Sequence, residues 1–478
     1  MAYKIGNKMQ QTFLPNTIDD YVSPQDPVRV YDAFVDALDF HSLGIPTEPQ
    51  PGADEYYPKE MLKLIIYGYS YGTRSSRKLE RACHHNLSFI WLMGDLKPDY
   101  RTIARFRTDH KEAIKRVLKQ CVRTCIDLSL IEGNTLFVDG SKFRANASIN
   151  NTWTREKCQQ YLENIDKHID QLLDECQRLD IQEDKQESMV KLKQEIQDKE
   201  KLVTKIKGVI DTLNKSKKTS INTTDPDCVK AKGYQGTHAS YNVQMAVDEK
   251  HGLIVSAQAS SCNNDRNQLN DQIVKSSENL TQKPKNVCSD SGYHSMPDLD
   301  KVDKDIQLIL PSQKQAQKEN SRHPLRSFDK ERFQYDAKKD EYICPEGKPL
   351  KYIGIAFSNP RKKAYRANKQ TCQSCSHFGI CTKSKRGRIV TRLTEEEFKE
   401  HLEEVYKSQE GQEIYKLRKQ KSELPFGHFK QNLGAGQFML RGKSKVNAET
   451  SILSTCFNIA RMITIIGVTE LILKLNSG

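Results

Sequence analysis

A change of hydrophobic period near residue 135 constrains this chain more than any other feature. Upstream, KEMLKLIIYGYSYG and HKEAIKRVLKQCVRTCIDLSL carry apolar residues three and four apart, which predicts amphipathic helices over residues 1–130. From 135 onward, TLFVDGSKF alternates and ends in Asp-Gly, the pattern of a strand leaving a core. YNVQMAVD and LIVSAQAS, joined by EKHG, predict a β-hairpin. NVCSDSGY and IQLILPS supply two more short apolar strands. Strands separated by helical stretches predict an α/β core behind a helical N-terminal domain.

The stretch between the first strand and the hairpin follows another rule. Leu162, Ile165, Ile169, Leu172, Cys176 and Leu179 step by three and four. The stepping resumes at Met189, Leu192, Ile196, Lys199, Val203, Ile206, Ile210 and Leu213, with Lys199 alone out of pattern. Two such runs with a polar joint at DIQEDKQES predict an antiparallel coiled-coil hairpin over 152–218, inserted into a sheet that continues on either side. It serves either as a rigid spacer or as a dimer or DNA contact.

Partners follow from charge. The 478 residues carry a formal net charge of +13, with a pI of about 9.0 and a mean hydropathy of −0.72. That balance favours an acidic partner, nucleic acid first. In KPDYRTIARFRTDH, Asp99 is placed to cap a short helix bearing Arg101, Arg105 and Arg107. On composition this is a solvated helix face, and the overall charge adds a DNA-contacting module as the alternative. The opening MAYKIGNKMQQ is polar, unlike a signal peptide, which predicts a cytoplasmic protein. SILSTCFNIARMITIIGVTELILKL is the most apolar stretch, but Asn458, Arg461 and Glu470 predict a buried core helix and no membrane partner.

Thirteen cysteines without a secretion signal predict reduced thiols, with any cluster explained by metal. Residues 314–390 read as basic, polar and irregular. Within them Cys344 (in CPEG), Cys372, Cys375 and Cys381 have the makings of a tetrahedral thiolate site for structural Zn²⁺, with His377 a substitute ligand. Too few apolar residues lie here to fold the segment by burial alone, which favours metal over four free thiols.

Three acids draw attention together. Metal-assisted phosphoryl chemistry needs carboxylates converging from separate elements on two ions roughly 3.5–4 Å apart. Asp139 ends the strand LFVDGSKF, Asp290 ends the strand VCSDSGYHS, and Glu423 lies in the helical stretch YKLRKQKSELPFGHFK. Each alone is weak, since a lone Asp-Gly is usually a turn. Competing acids are Asp248, more simply a hairpin-turn residue, Asp265, more simply the cap of a helix starting at Arg266, and Glu449, the alternative to Glu423. Pro425 removes a helical hydrogen bond, so the helix kinks or begins there.

VDGSKFRANAS, the AVDEKHGLIVSAQ hairpin, SDSGYHS, and ELPFGHFK followed by FMLRGKSKVNAE resemble the DDE transposases of bacterial insertion sequences. The resemblance covers most of the chain, in order. Tyr415, Arg418, Glu423 and Lys430 stand where that family has its Tyr-Arg-Glu-Lys signature. It implies an RNase H-like α/β fold: a mixed sheet flanked by helices, with the first Asp on the first strand, the second Asp beside it on the fourth, and the Glu on a later helix. It implies a catalytic core over 131–313 and 391–478, an N-terminal helical DNA-binding domain over 1–130, and the two insertions at 152–218 and 314–390. Asp139, Asp290 and Glu423 would then hold two Mg²⁺ or Mn²⁺ ions. Lys142, Arg144, Tyr415, Arg418, Lys419, Lys430 and Arg441 join the N-terminal arginines as the residues expected to meet DNA. The implied partners are transposon-end and target DNA, with a homodimer pairing the two ends. A nuclease of the same fold, an inactive DNA-binding relative, and a coiled-coil and zinc scaffold without chemistry are the rival readings.

Overall fold

The computed structural model describes residues 17–48, 55–180, 186–216, 218–233, 236–313, 315–316, 327–356, 362–393 and 396–477, with the side chains of 175–193 outside that description. The chain divides into two compact units. Unit 1 comprises Met1–Asp265, Gln272–Lys283 and Gln420–Gly478, and unit 2 comprises Arg266–Asp271 and Pro284–Lys419.

In unit 1 the expected strands form where the alternation places them, as β1 (Thr135–Arg144), β5 (Gly236–Asp248) and β6 (Ile254–Ser260), and three that the sequence reading did not name join them: β2 (Thr152–Thr154), β3 (Ser220–Asn222) and β4 (Val229–Gly233). β5 is the hub and pairs antiparallel with β1, β4 and β6. Opposed residues in these ladders share a face of the sheet. Asp139 lies opposite Met245, while Gly140 lies opposite Gln244, which lies opposite Gln258. Asp139 and the Gly140–Gln244–Gln258 row therefore occupy opposite faces.

The N-terminal helices do not stand apart from this sheet's unit. Helices Pro58–Ser70 and Lys111–Asp127 pack against the C-terminal helix Lys443–Ile466, which also packs on β6. That helix buries Ile452, Leu453, Cys456, Phe457 and Ile459, as its apolar sequence predicts. Asn458 is tolerated within it because its amide closes on β6: Oδ1 accepts from the Ile254 N–H and Nδ2 donates to the Ile254 carbonyl, both at 2.8 Å. The helix ends at Gly467, where φ is +89°. Helix Val468–Asn476 then leaves at 111°, and among the described residues no single helix is long and apolar enough to cross a membrane.

The predicted insertion is a pair of helices, Arg155–Asp180 and Gln186–Ser216. Arg155 meets Asn214 and His168 meets Glu195, which makes them antiparallel. Ile165, Leu172, Ile206 and Leu213 of the expected stripe are buried. The side chains of Cys176, Leu179, Met189 and Leu192 fall outside the described residues. β2 and β3 pair at the base, Trp153 opposite Ile221, as a ribbon that clamps the two chain ends.

In unit 2, β7 (Asn286–Cys288) and β8 (Gln307–Ile309) pair in parallel. The chain as a whole is thus a mixed α/β protein. The cysteine-bearing segment departs from its sequence reading. It is not irregular: β9 (Gln334–Asp336), β10 (Glu341–Ile343), β11 (Pro349–Ala356), β12 (Lys362–Ala367) and β13 (Ile389–Leu393) form an antiparallel meander in chain order. Phe333, Tyr342, Leu350, Tyr365 and Val390 are its buried core. Tyrosines supply the apolar area that a count of aliphatic residues misses. The phenols of Tyr335 and Tyr365 both donate to Asp340 at 2.6 Å, which seats their polar ends.

Helix Gln409–Gln431 runs unbroken through Pro425, so it does not begin there. Asp265 also departs from expectation. The following helix begins at Leu269, not Arg266, and Asp298 accepts from the Leu269 and Asn270 N–H groups in its place.

Candidate active site and cysteine centre

β1 presents Asp139 on the face that receives helix Gln409–Gln431. Phe143, two residues beyond Ser141 on that same face, meets Phe426 and Phe429 of the helix and Phe438, with ring centroids 5.8–6.2 Å apart. Such ring pairs contribute about 0.5–1.5 kcal/mol each beyond their burial, so the helix is fixed against β1. Two polar contacts follow. The Ser422 hydroxyl donates to Asp139 Oδ2 at 2.9 Å, and Lys430 Nζ donates to Ser141 Oγ at 2.6 Å. Asp139 Oδ1 accepts from the Gly140 N–H at 2.8 Å.

Glu423 is exposed. At roughly 100° per residue it lies about 100° around the helix from Ser422, yet within about 20° of Lys430. The Lys430 ammonium lies 4.9 Å over the Phe143 ring, and burial lowers its pKa. Ser422 is the residue that sequence reasoning missed. Its signal was available: 422, 426 and 429 make one inward stripe in which a serine replaces an apolar residue.

Asp290 belongs to unit 2, two residues beyond β7, and its Oδ1 accepts from the Gly292 N–H at 2.8 Å. Tyr415 and Arg418 lie in its neighbourhood. Burial raises the Tyr415 pKa, Arg418 opposes this, and the charges of Cys288 and Asp290 push it further up. Arg418 stacks on the Tyr415 ring at 5.5 Å, and Tyr415 meets Tyr406 edge-on. Burial, opposed by Arg418, takes the Cys288 thiol to about 12, so it is an inert packing group.

The competing acids resolve into structural roles. Glu449 is fully buried, ion-paired to Arg74 at 2.9 Å, and accepts from the Met439 and Leu440 N–H groups, which leaves it no coordination to offer. Asp248 is a turn residue as expected, accepting from the Gly133 and Lys250 N–H groups. Asp265 Oδ1 accepts from the amides of Asn242 and Gln244 at 2.8 and 2.7 Å. It therefore sits on the Gly140 face, away from Asp139.

The basic residues divide as well. Asp99 caps helix Tyr100–Asp109 as predicted, accepting from the Arg101 and Thr102 N–H groups. Arg101 and Arg105 are exposed. Arg107 is the correction: it is 5 % exposed, and its guanidinium donates to Tyr69, Ser76 and the Arg74 carbonyl. An arginine buried and bonded in this way packs the helical region and is turned away from solvent. Lys142 and Arg144 are half-buried on β1, and Lys419 and Arg441 are exposed, Arg441 leaning on the Asn146 carbonyl at 2.8 Å.

Cys344, Cys372, Cys375 and Cys381 line one cavity of about 40 Å³ in unit 2. The Lys348 N–H points at Cys344 Sγ (3.3 Å) and the Arg388 N–H at Cys372 Sγ (3.5 Å). Burial raises the Cys381 pKa, Arg388 opposes it, and the other three thiols push it up further. His377 is engaged by Glu346 at 3.1 Å. Among the described residues no three His, Cys, Asp or Glu side chains stand in ready-made ligating geometry, at the cysteines or at the acids.

Comparison with known families completes the picture. The family described as Transposase DDE domain matches residues 343–463, and the family described as Transposase domain (DUF772) matches residues 16–109. Both matches are to transposase families, and together they support an insertion-sequence DDE transposase. No curated protein and no solved structure matches it. The first match spans Cys344–Cys381, Glu423 and Glu449, and the second spans Arg101, Arg105 and Arg107. Transposases act on DNA, and DDE domains generally use divalent metal ions. The donors fit that requirement in type: Asp139, Asp290 and Glu423 offer hard carboxylate oxygens of the kind Mg²⁺ and Mn²⁺ prefer.

Proposed function

We propose that this transposase binds the terminal inverted repeats of an insertion sequence, cleaves DNA at the element's ends and transfers the freed 3′-hydroxyl to target DNA. Asp139, Asp290 and Glu423 are its metal-holding acids, for two Mg²⁺ or Mn²⁺ ions, on a core of RNase H-like fold. Bound there, such ions would stabilise charge on the attacking and leaving oxygens of phosphoryl transfer. The observation that carries the reading is the docking of helix Gln409–Gln431 on β1, with Ser422 on Asp139 and Lys430 on Ser141. Ser422 fixes the orientation of the Asp139 carboxylate. Lys430 holds a cation beside the same strand, positioned to offset phosphate charge. Arg101, Arg105, Lys142, Arg144, Tyr415, Arg418, Lys419 and Arg441 supply backbone contacts to DNA, and Arg107 is withdrawn from that set. A homodimer pairs the two ends. The helical hairpin at 152–218 acts as a coiled-coil spacer.

Cys344, Cys372, Cys375 and Cys381 form a structural Zn²⁺ site in the same reading. Four thiols around one small cavity, two of them facing backbone N–H groups, support it, and a cation would offset the burial and the smaller mutual repulsion that together raise the Cys381 pKa.

The test is Asp139→Asn. The variant should bind an end-bearing duplex as the parent does and lose cleavage. Strand transfer by that variant in Mg²⁺ at the parent's rate would overturn the assignment.

A further inference from the structure

Unit 1 carries a groove of about 580 Å³ on a part of its surface that the proposed chemistry does not use. Helix Lys111–Asp127 forms one wall with Lys115, Arg116, Lys119 and Arg123. Helix Leu269–Leu280 forms the other with Lys275 and Glu278, and Ser256 and Gln258 of β6 lie between them. Five cations thus face a single carboxylate among the lining residues. The strand registers place this groove relative to Asp139. Ser256 lies opposite Ala246, which lies opposite Val138, and Gln258 shares the Gly140 row. The groove is therefore on the sheet face opposite Asp139.

Not all five cations are free to meet a ligand. Lys115 is paired to Glu112 at 2.9 Å. Arg116 leans on the Ser42 and Leu43 carbonyls at 3.4 Å, and Lys275 donates to Gln258. Among the described residues no ion pair engages Lys119 or Arg123, and Arg123 is exposed. Arg116, Lys119 and Arg123 follow each other at three- and four-residue spacing, about 5 Å of helix axis per step. A row of cations at that interval suits a polyanion with regularly spaced charge, and duplex DNA carries one phosphate per about 3.4 Å of axis on each strand. The amides of Gln120, Asn279 and Asn447 that border the cations are bonded within the protein, to Asp39, the Val255 carbonyl and the Ala259 N–H, so Lys119 and Arg123 are the groups left to hold an anion.

We infer that the groove between helices Lys111–Asp127 and Leu269–Leu280 is a second duplex-DNA surface, gripping the phosphate backbone on the sheet face opposite Asp139. The inference rests on the reading of the chain as a DNA-handling transposase. Its role is to hold a length of duplex beyond the segment at the acids, without reading sequence.

The test uses the full chain and a 40-base-pair duplex of arbitrary sequence, with anisotropy followed over a salt series. Each phosphate contact contributes about 0.9 to the slope of log K against log salt. Lys119→Ala with Arg123→Ala should flatten the slope by about 2. The charge-matched control Lys205→Ala with Lys207→Ala, on the helical hairpin, should leave it as in the parent. The charge-conserving pair Lys119→Arg with Arg123→Lys should restore the parent slope, which separates lost contacts from a damaged helix. Equal slopes for the alanine pair and the parent overturn the groove. Failure of the charge-conserving pair to recover also overturns it. Salt-independent binding by the parent overturns the DNA-handling reading itself, and Asp139→Asn should keep the parent slope throughout.

Discussion

Replacing Glu449 by alanine separates a structural carboxylate from a metal ligand. Arg74 and Glu449 meet at 2.9 Å with side chains 8 % and 0 % exposed. Removing the acid leaves a buried guanidinium without its counter-charge, and the Met439 and Leu440 N–H groups without their acceptor. Breaking a buried pair from one side costs about 3–5 kcal/mol. Arg74 keeps two carbonyl acceptors, Gly434 at 2.7 Å and Gln437 at 3.0 Å, which places the loss near the lower end, about 3 kcal/mol. The assay is chemical denaturation followed by tryptophan fluorescence. The chain has two tryptophans, and both Trp91 and Trp153 lie in unit 1 with the pair, so the signal reports the right body. Arg74→Met with Glu449→Leu should recover only the part of the loss due to the unpaired charge, because the Met439 and Leu440 N–H groups and the Gly434 and Gln437 carbonyls still lack partners. An acid that served as a ligand would behave oppositely. If Glu449→Ala shifts stability by less than about 0.5 kcal/mol, the size of an ordinary surface change, and abolishes cleavage, the structural assignment is refuted.

Three further outcomes are expected. Gly140→Ala should destabilise unit 1 by about 1–3 kcal/mol, because a Cβ there would collide with Asp265 Oδ1 and stand 2.5 Å from Gln244 Nε2, two groups already bonded to each other; an unchanged denaturation midpoint would show that the Asp265 loop yields freely. Burial works to raise the Glu396 pKa, but the Leu393 N–H, Lys330 and Lys399 outweigh it and bring the group from 4.5 to about 2; a depressed acid stabilises above its unfolded pKa, so the protection of β13 amides in the parent relative to Glu396→Gln should be greatest above about pH 4.5 and vanish towards pH 2. A gap that widens as pH falls would refute that sign. Purified protein should contain one Zn²⁺ that Cys372→Ser with Cys375→Ser loses, together with order in β12 and β13, and equal metal content in both proteins would remove the zinc assignment.

Much of unit 1 was legible in sequence because its signals are local and periodic. The alternation of TLFVDGSKF, YNVQMAVD and LIVSAQAS became β1, β5 and β6, and the stepping of Ile165, Leu172, Ile206 and Leu213 became the seam of the helical hairpin. The meander β9–β13 was not legible. Two of its strands are three residues long, too short for a period to register, and its small core of Phe333, Tyr342, Leu350, Tyr365, Ala367 and Val390 is scattered one or two residues to a strand.

By itself, then, the sequence determined where most of the long strands and helices run, that a hairpin interrupts the β region, and that Asp290 follows a strand; Asp139, read as a strand end, lies in the middle of β1, which continues to Arg144. Those follow from period and turn chemistry within a few residues. Only the tertiary structure decided among side chains of the same type. It turned Arg107 inward and left Arg101 and Arg105 outside, sealed Glu449 against Arg74, moved Asp265 from a helix cap to the amides of Asn242 and Gln244, and brought Ser422 rather than a neighbour onto Asp139. The reason is that a charge's role depends on which distant group desolvates or pairs with it. The partners of Glu449, 375 residues away, and of Ser422, 283 away, are set by packing and leave no trace in local spacing.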